Sequence, residues 1–421
     1  MSANATPAGP DPSGMGFKQF VIFIAAVMAT NALAIDTMLP ALPVIGSALG
    51  IAAENDRQWI VTAYLLGFGG AQIFYGTLAD RFGRRPVLLM ALVIYAGFSA
   101  VAGLAGSESV MLAARVLQGV GAAGTRVLAV SIIRDRYSGR QMARVMSLAF
   151  IVFLAAPIAA PSLGQLIMLV APWHAIFFAL AAFGAIMAAW GALRLPETLH
   201  EEDRLPVAAA RIVGAFGIAL SERMAVGYML AMTVMLGGLF GYINSVQQVF
   251  SDIFRAPALF PLVFGLTALF MAAASLLNAR IVGRIGMHRV SHTALAGYVT
   301  IAGVHAMLAW SGRETLTVFT ICQSLMMFCF GLVASNFGAL AMEPLGHIAG
   351  TASSVQGFVT TVGGATLGFL IGQQFDGSAV PMTLGFFVLG TLAFVIVAVT
   401  ERGRLFRSGA AQPRAGAART A

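Results

Sequence analysis

The sequence predicts an all-α integral membrane protein, with twelve transmembrane helices in two six-helix bundles related by pseudo-two-fold symmetry. Three observations predict it. Of the 421 residues, 59% are hydrophobic and only 10% are charged, too apolar a chain to hide in one water-soluble core. The apolar residues fall in continuous runs of about twenty, the length needed to cross ~30 Å of hydrocarbon. The basic turn Gly76-Thr77-Leu78-Ala79-Asp80-Arg81-Phe82-Gly83-Arg84-Arg85-Pro86 returns in degraded form, Ala279-Arg280-Ile281-Val282-Gly283-Arg284-Ile285-Gly286, in the second half.

The runs lie near 18–40, 58–77, 86–106, 109–131, 145–169 and 174–194, then near 224–249, 258–280, 289–311, 315–341, 351–374 and 381–400. They lack the strict alternation of a lipid-facing strand, so helices, which satisfy their own backbone amides, are expected. The 47 glycines read as close helix packing, since small residues let backbones approach inside a membrane. Residues 1–16 carry no basic segment ahead of the first span and are expected to be a disordered tail. A bundle at 17–195 follows, then a polar linker at 196–223 containing His200-Glu201-Glu202-Asp203-Arg204, a bundle at 224–400 and a tail at 401–421.

Basic residues set the expected orientation. With the N-terminus in the cytoplasm, Lys18, Arg81, Arg84, Arg85, Arg134, Arg136, Arg194, Arg204, Arg223, Arg280, Arg284 and Arg289 all fall inside, and Arg57, Arg255 and Arg313 fall outside. Both termini are then cytoplasmic. Trp59, Trp173 and Trp310 are expected at the outer membrane boundary and Trp190 at the inner one. The net charge of +8 reflects topology and anionic lipid, with no basic domain of a size to bind nucleic acid. Cys322 and Cys329 read as packing residues rather than a disulfide or metal framework. No cofactor, no metal and a monomer are expected.

A repeated basic turn between membrane spans points to a transporter. The motifs make the resemblance specific. Gly76-x-Leu78-x-Asp80-Arg81-x-Gly83-Arg84-Arg85 resembles the loop between spans two and three of the major facilitator superfamily. Asp36-Thr37-Met38-Leu39-Pro40-Ala41-Leu42-Pro43 resembles the end of the first span in its Bcr/CflA branch of drug:proton antiporters. Arg115-Val116-Leu117-Gln118-Gly119-Val120-Gly121 resembles its fourth-span motif, and Leu195-Pro196-Glu197-Thr198 its exit from span six. The fifth span departs from the antiporter element, keeping Pro161 and Gly164 within Ala160-Pro161-Ser162-Leu163-Gly164-Gln165, with Pro157 one turn earlier on the same face. The resemblance implies proton-coupled efflux of small amphipathic or apolar drugs by alternating access, in a bacterial inner membrane. Transport of an endogenous metabolite, such as a sugar or an organic anion, by the same fold is the alternative.

An ionised carboxylate inside a span costs ~3 kcal/mol, so Asp36 needs a partner, water or a proton, and it is the best proton carrier. Arg115 comes to a similar depth from the helical rise, and the two could pair directly or through water. They are the expected proton-coupling residues; a static helix clamp is the competing reading. Arg126, about three turns beyond Arg115, shares one stripe with it and with Gln118. That stripe is expected to face the cavity, although Arg126 could instead snorkel to the inner surface.

Tyr242, Asn244, Gln248, Gln323, Asn336 and Gln356 are candidate substrate contacts in the second half, together with Gln118 and Arg126 in the first; interhelical hydrogen bonding is the competing role for each. Gln323 aligns with Gln118 across the repeat, placing Thr320 where Arg115 stands. Gating is expected to involve Gly76, Asp80, Arg81, Gly83, Arg84, Pro157, Pro161 and Gly164. His305 reads as a hydrogen-bonded structural histidine or a proton relay. A membrane-embedded enzyme is disfavoured, because neither His-Glu-x-x-His nor Gly-x-Ser-x-Gly occurs. The single lysine, Lys18, precedes Gln19, so no phosphate-binding loop exists. A receptor without turnover would not need Asp36.

Overall fold

The computed structural model describes residues 15–204 and 209–407, and within them the regular structure is helical. Residues 1–14 of the expected first tail, 205–208 of the linker and 408–421 of the last tail lie outside the described residues. The chain divides into two compact units, Met1–Ala209 and Ala210–Ala421.

The first unit holds α1 (Phe17–Asp36), the short α2 (Leu42–Ala48), α3 (Trp59–Phe82), α4 (Arg84–Gly103), α5 (Glu108–Arg136), α6 (Gly139–Val170) and α7 (His174–Arg194). The second holds α8 (Ala209–Ser221), α9 (Arg223–Gln248), α10 (Phe260–Ile285), α11 (Met287–Trp310), α12 (Leu316–Met342), α13 (Ala349–Gly372) and α14 (Val380–Thr400). Ten stretches of the described helices are long and apolar enough to cross a membrane. Outside that set, α3 buries Thr62, Gln72 and Thr77 against its neighbours.

The two units repeat one packing pattern. In the first, α5 packs against α3 and α4, α4 against α7, and α1 against α6; in the second, α12 packs against α10 and α11, α11 against α14, and α9 against α13. The basic turn and its degraded copy also share one conformation. Gly83 has φ 99° and Gly286 has φ 90°, a left-handed backbone that a side chain would strain. Each glycine ends one long helix and starts the next, which is why glycine persists there while Asp80 has become Gly283 and Arg84 has become Met287.

Several elements differ from expectation. The first helix stops at Asp36, short of residue 40, and a 3₁₀ turn at Leu39–Ala41 carries the chain into α2, because Pro40 and Pro43 bring no amide donors. The fifth long helix starts at Gly139 and runs unbroken through Pro157 and Pro161. The expected linker contains α8, which packs on its own unit through the edge-to-face pair Phe216–Phe358 at 6.0 Å. Trp173, expected at the membrane boundary, is buried at 4% exposure, since its ring stacks on His174 at 3.8 Å and meets Phe177 edge-on. Trp310 is exposed at 75%.

Candidate functional site

Asp36 is the last residue of α1, at 5% exposure. Its backbone surroundings are tight. An added methyl at Gly164 of α6 would collide with the Thr37 carbonyl, so α6 approaches the end of α1 at a distance only glycine permits. Among the described residues Asp36 forms no ion pair. The direct pairing with Arg115 that the sequence allowed is therefore not what the structure forms.

Arg115 spends its donors on neutral acceptors instead. Its Nε donates to the Ile60 carbonyl at 3.0 Å, and Nη1 donates to the Ala34 carbonyl at 3.1 Å and to Gln118 Oε1 at 2.6 Å. Ala34 lies two residues before Asp36 in the same helix, so the similar depth read from the sequence holds even though the carboxylate contact does not. Gln118 then donates from Nε2 to Ser99 Oγ at 2.7 Å. The guanidinium carbon sits 4.5 Å from the centre of the Tyr64 ring, and the Tyr64 hydroxyl donates to Asn31 Oδ1 at 3.0 Å. Nη2 of Arg115 is buried without a partner. A charged fork held by carbonyls and a π face, with one donor to spare and a carboxyl on the neighbouring helix, can respond to the charge of that carboxyl.

Tyr64, Asn31 and Ser99 escaped the sequence reading because each looks like an ordinary polar residue within a span. The signal that could have found Tyr64 is its place one turn past Ile60, whose carbonyl Arg115 reaches.

Arg126 is exposed, and its guanidinium carbon lies 5.9 Å from the centre of the Phe68 ring of α3. Gly67, beside Phe68, would touch the Val116 carbonyl if it carried a methyl, so Phe68 stands level with the upper part of α5, on the side of Arg126 away from the helix end at Arg136. The side chain leans back along α5, as helical side chains do, rather than down towards that end.

The basic turn builds a separate cluster. Arg84 Nη1 donates to Asp80 Oδ1 at 2.7 Å and Nε to Asp135 Oδ2 at 2.9 Å. The Glu197 carboxylate accepts from the backbone amides of Arg84 at 2.9 Å and Arg85 at 3.2 Å, capping the start of α4, where the helix dipole favours an anion. Asp80 thus pairs with an arginine, and Glu197 caps the helix. Arg81 is exposed and enters no ion pair in this cluster, and Gly76 lies one turn before Asp80. Asp135 went unnoticed in the sequence because it follows Arg134 and precedes Arg136, where it reads as part of a solvated charge run.

In the second unit most candidate polar groups are occupied. Tyr242 shares a 3.2 Å hydrogen bond with Thr267 of α10, Asn336 donates to Asn278 of α10 at 2.8 Å, and Gln356 donates to the Gly338 carbonyl of α12 at 3.4 Å. These tie helices together. Asn244 and Gln248 are buried in α9 at 1% and 4% exposure. Gln323 differs from its counterpart Gln118: it is fully buried and neither amide atom has a partner. His305 shares a 2.7 Å hydrogen bond with Glu314, joining the end of α11 to the start of α12. At the other end, Tyr228 donates to Glu401 at 2.7 Å and shares a 2.9 Å bond with His292.

Two helical units with one packing pattern, a carboxyl at a span end and a repeated turn between spans define a multi-pass membrane transporter. The Major Facilitator Superfamily profile matches residues 22–368, and the chain belongs to that superfamily, in its Bcr/CflA-like drug:proton antiporter branch. It is 32% identical to the uncharacterized MFS-type transporter YdgK of Bacillus subtilis, over 91% of this chain and 96% of that one. It is 29% identical to the bicyclomycin resistance protein homolog of Haemophilus influenzae, over 90% and 94%, and 28% identical to the multidrug resistance protein MdtL of Klebsiella pneumoniae, over 86% and 90%. Among solved structures, the xylose transporter XylE from E. coli superposes with TM-score 0.68 at 13% identity, covering 90% of this chain and 96% of that one.

Proposed function

We propose that the chain exports small amphipathic or apolar drug-like compounds in exchange for protons by alternating access, with Asp36 as the proton carrier and Arg115 as its electrostatic partner. The observation that carries this reading is Asp36 itself: buried at the end of α1, outside any ion pair, two residues from a carbonyl that Arg115 holds. A carboxyl in that setting is stable when protonated and needs compensation when ionised. Proton-loaded and substrate-loaded forms then alternate, each permitting the halves to exchange access. The names of the relatives, a bicyclomycin resistance protein homolog and a multidrug resistance protein, support drug export. The family supports a bacterial inner-membrane location; both termini in the cytoplasm and a monomeric state belong to the same proposal.

Gln118 serves Arg115, and the second unit has polar side chains of its own as candidate substrate contacts. Gln323 is the strongest candidate among them, because its amide has no protein partner to lose. Gly76, Asp80, Gly83, Arg84 and Glu197 form the gating turn, whose contacts must rearrange as access changes. Pro157, Pro161 and Gly164 shape α6 against α1.

The test is purified protein in liposomes loaded with a fluorescent drug, with a pH gradient imposed in either direction. Export requires that drug move against the proton flow and stop when the gradient is collapsed. Drug accumulation in the same direction as proton entry would contradict antiport, and movement of a sugar but no drug would promote the metabolite reading.

A further inference from the structure

We infer that Arg126 and Phe68 form a subsite for an anionic group, so that amphipathic aromatic carboxylates are preferred over matched neutral compounds and cations are disfavoured. This rests on the export reading above for direction of movement, but the subsite itself rests on the geometry of α3 and α5.

Arg126 lies on α5 ten residues before that helix ends at Arg136, a separation of about 15 Å at the helical rise. Its guanidinium leans the other way, over Phe68. Among the described residues it forms neither an ion pair nor a hydrogen bond, yet it is exposed. Lipid is a poor environment for such a charge, and intramembrane arginines face water-filled cavities or find partners. The charges carried by α5 and by the end of α1 do not balance. Arg115 and Arg126 are two cations on α5, and Asp36 is the single acid at the end of α1, neutral whenever it carries its proton.

The chemistry of the ligand follows from what the pair offers. Phe68 is buried at 2% exposure, and its ring lies against a guanidinium that no carboxylate holds among the described residues. A guanidinium presents a planar fork of N–H donors that matches a carboxylate in bidentate fashion. Cations gain nothing at this position and meet a like charge.

Movement of an anion also fits an exporter energetically. A membrane potential negative inside drives a negative charge outward, by ~2.3 kcal/mol per 100 mV. Phe68, which backs Arg126, stacks at 6.2 Å on Tyr64, the ring that Arg115 faces, so the two cations of α5 rest on separate rings.

The experiment uses three probes with one ring system: 1-naphthoate, 1-naphthalenemethanol and 1-naphthylmethylammonium. Binding to the purified full chain is read as ligand-induced thermal stabilisation, and transport is read in liposomes with an imposed potential and pH gradient. The expected order is naphthoate, then the alcohol, then the ammonium. Arg126→Ala is expected to weaken naphthoate by roughly tenfold or more while weakening the alcohol far less; retained alcohol binding also shows that the variant is folded. Arg126→Lys keeps the charge and loses the fork, and should fall between. Equal affinity for naphthoate and the alcohol, or equal loss of both in Arg126→Ala, overturns the subsite. Arg126-dependent naphthoate binding in a protein that moves no probe supports the subsite and sinks the export reading.

Discussion

The Arg115 guanidinium lies 4.5 Å from the centre of the Tyr64 ring, and Tyr64 passes on the contact by donating its hydroxyl to Asn31. The cation of α5 is thereby tied through α3 to α1, five residues before Asp36. Substitutions at Tyr64 separate the two halves of this link. Tyr64→Phe keeps the ring and loses one hydrogen bond, about 1 kcal/mol, with little effect on transport. Tyr64→Leu also loses the cation–π contact, ~2 kcal/mol when desolvated, and should shift the pH profile of drug transport as Arg115 moves relative to Asp36. Thermal unfolding and transport rates across pH check both; identical profiles for Phe and Leu would remove the ring from the coupling.

Asp36→Asn replaces the titrating group with a neutral one of the same shape. Gradient-driven drug accumulation in vesicles should vanish, while drug binding and drug–drug exchange without a gradient persist. Accumulation that remains gradient-dependent in this variant would show that protons travel by another group.

Arg84 holds two carboxylates at once, with 6% side-chain exposure against 33% for Asp80 and 16% for Asp135. Arg84→Ala strands both acids, which water can partly solvate, and should cost about 1.5–3 kcal/mol, the range for losing hydrogen bonds to charged groups. Arg81→Ala, one turn away and exposed, should stay within about 0.5 kcal/mol. Thermal denaturation in detergent measures the contrast, and equal effects would mean the turn merely sets topology.

Gly164→Ala forces a methyl into the Thr37 carbonyl. Overpacking of this kind costs about 1–3 kcal/mol, and here it pushes α6 from the end of α1 that carries Asp36. Transport is expected to fall further than stability alone explains, measured as rate per folded protein. A matching Gly217→Ala in α8, where an added methyl meets open space, should be silent.

The sequence by itself determined the membrane, the spans and the repeat, and it marked the charged residues that lie within the spans. Those conclusions follow from composition and period: apolar runs must meet lipid, and an acid such as Asp36 within one stands out because its burial is costly. Even the superfamily was legible, in Asp80-Arg81-Phe82-Gly83-Arg84-Arg85 and in the Asp36–Pro43 ending.

Only the tertiary structure decided who holds whom. Arg115 could have met Asp36, but it bonds the carbonyls of Ile60 and Ala34 and the Gln118 amide. Asp80 pairs with Arg84, while Glu197, distant in sequence, caps the start of α4. Arg126 could have reached for the inner surface, but it leans over Phe68. The physical reason is common to all three. A flexible polar side chain has several acceptors within reach of its own helix, and the choice among them depends on which neighbouring backbone comes close, which is set by packing between helices far apart in the chain.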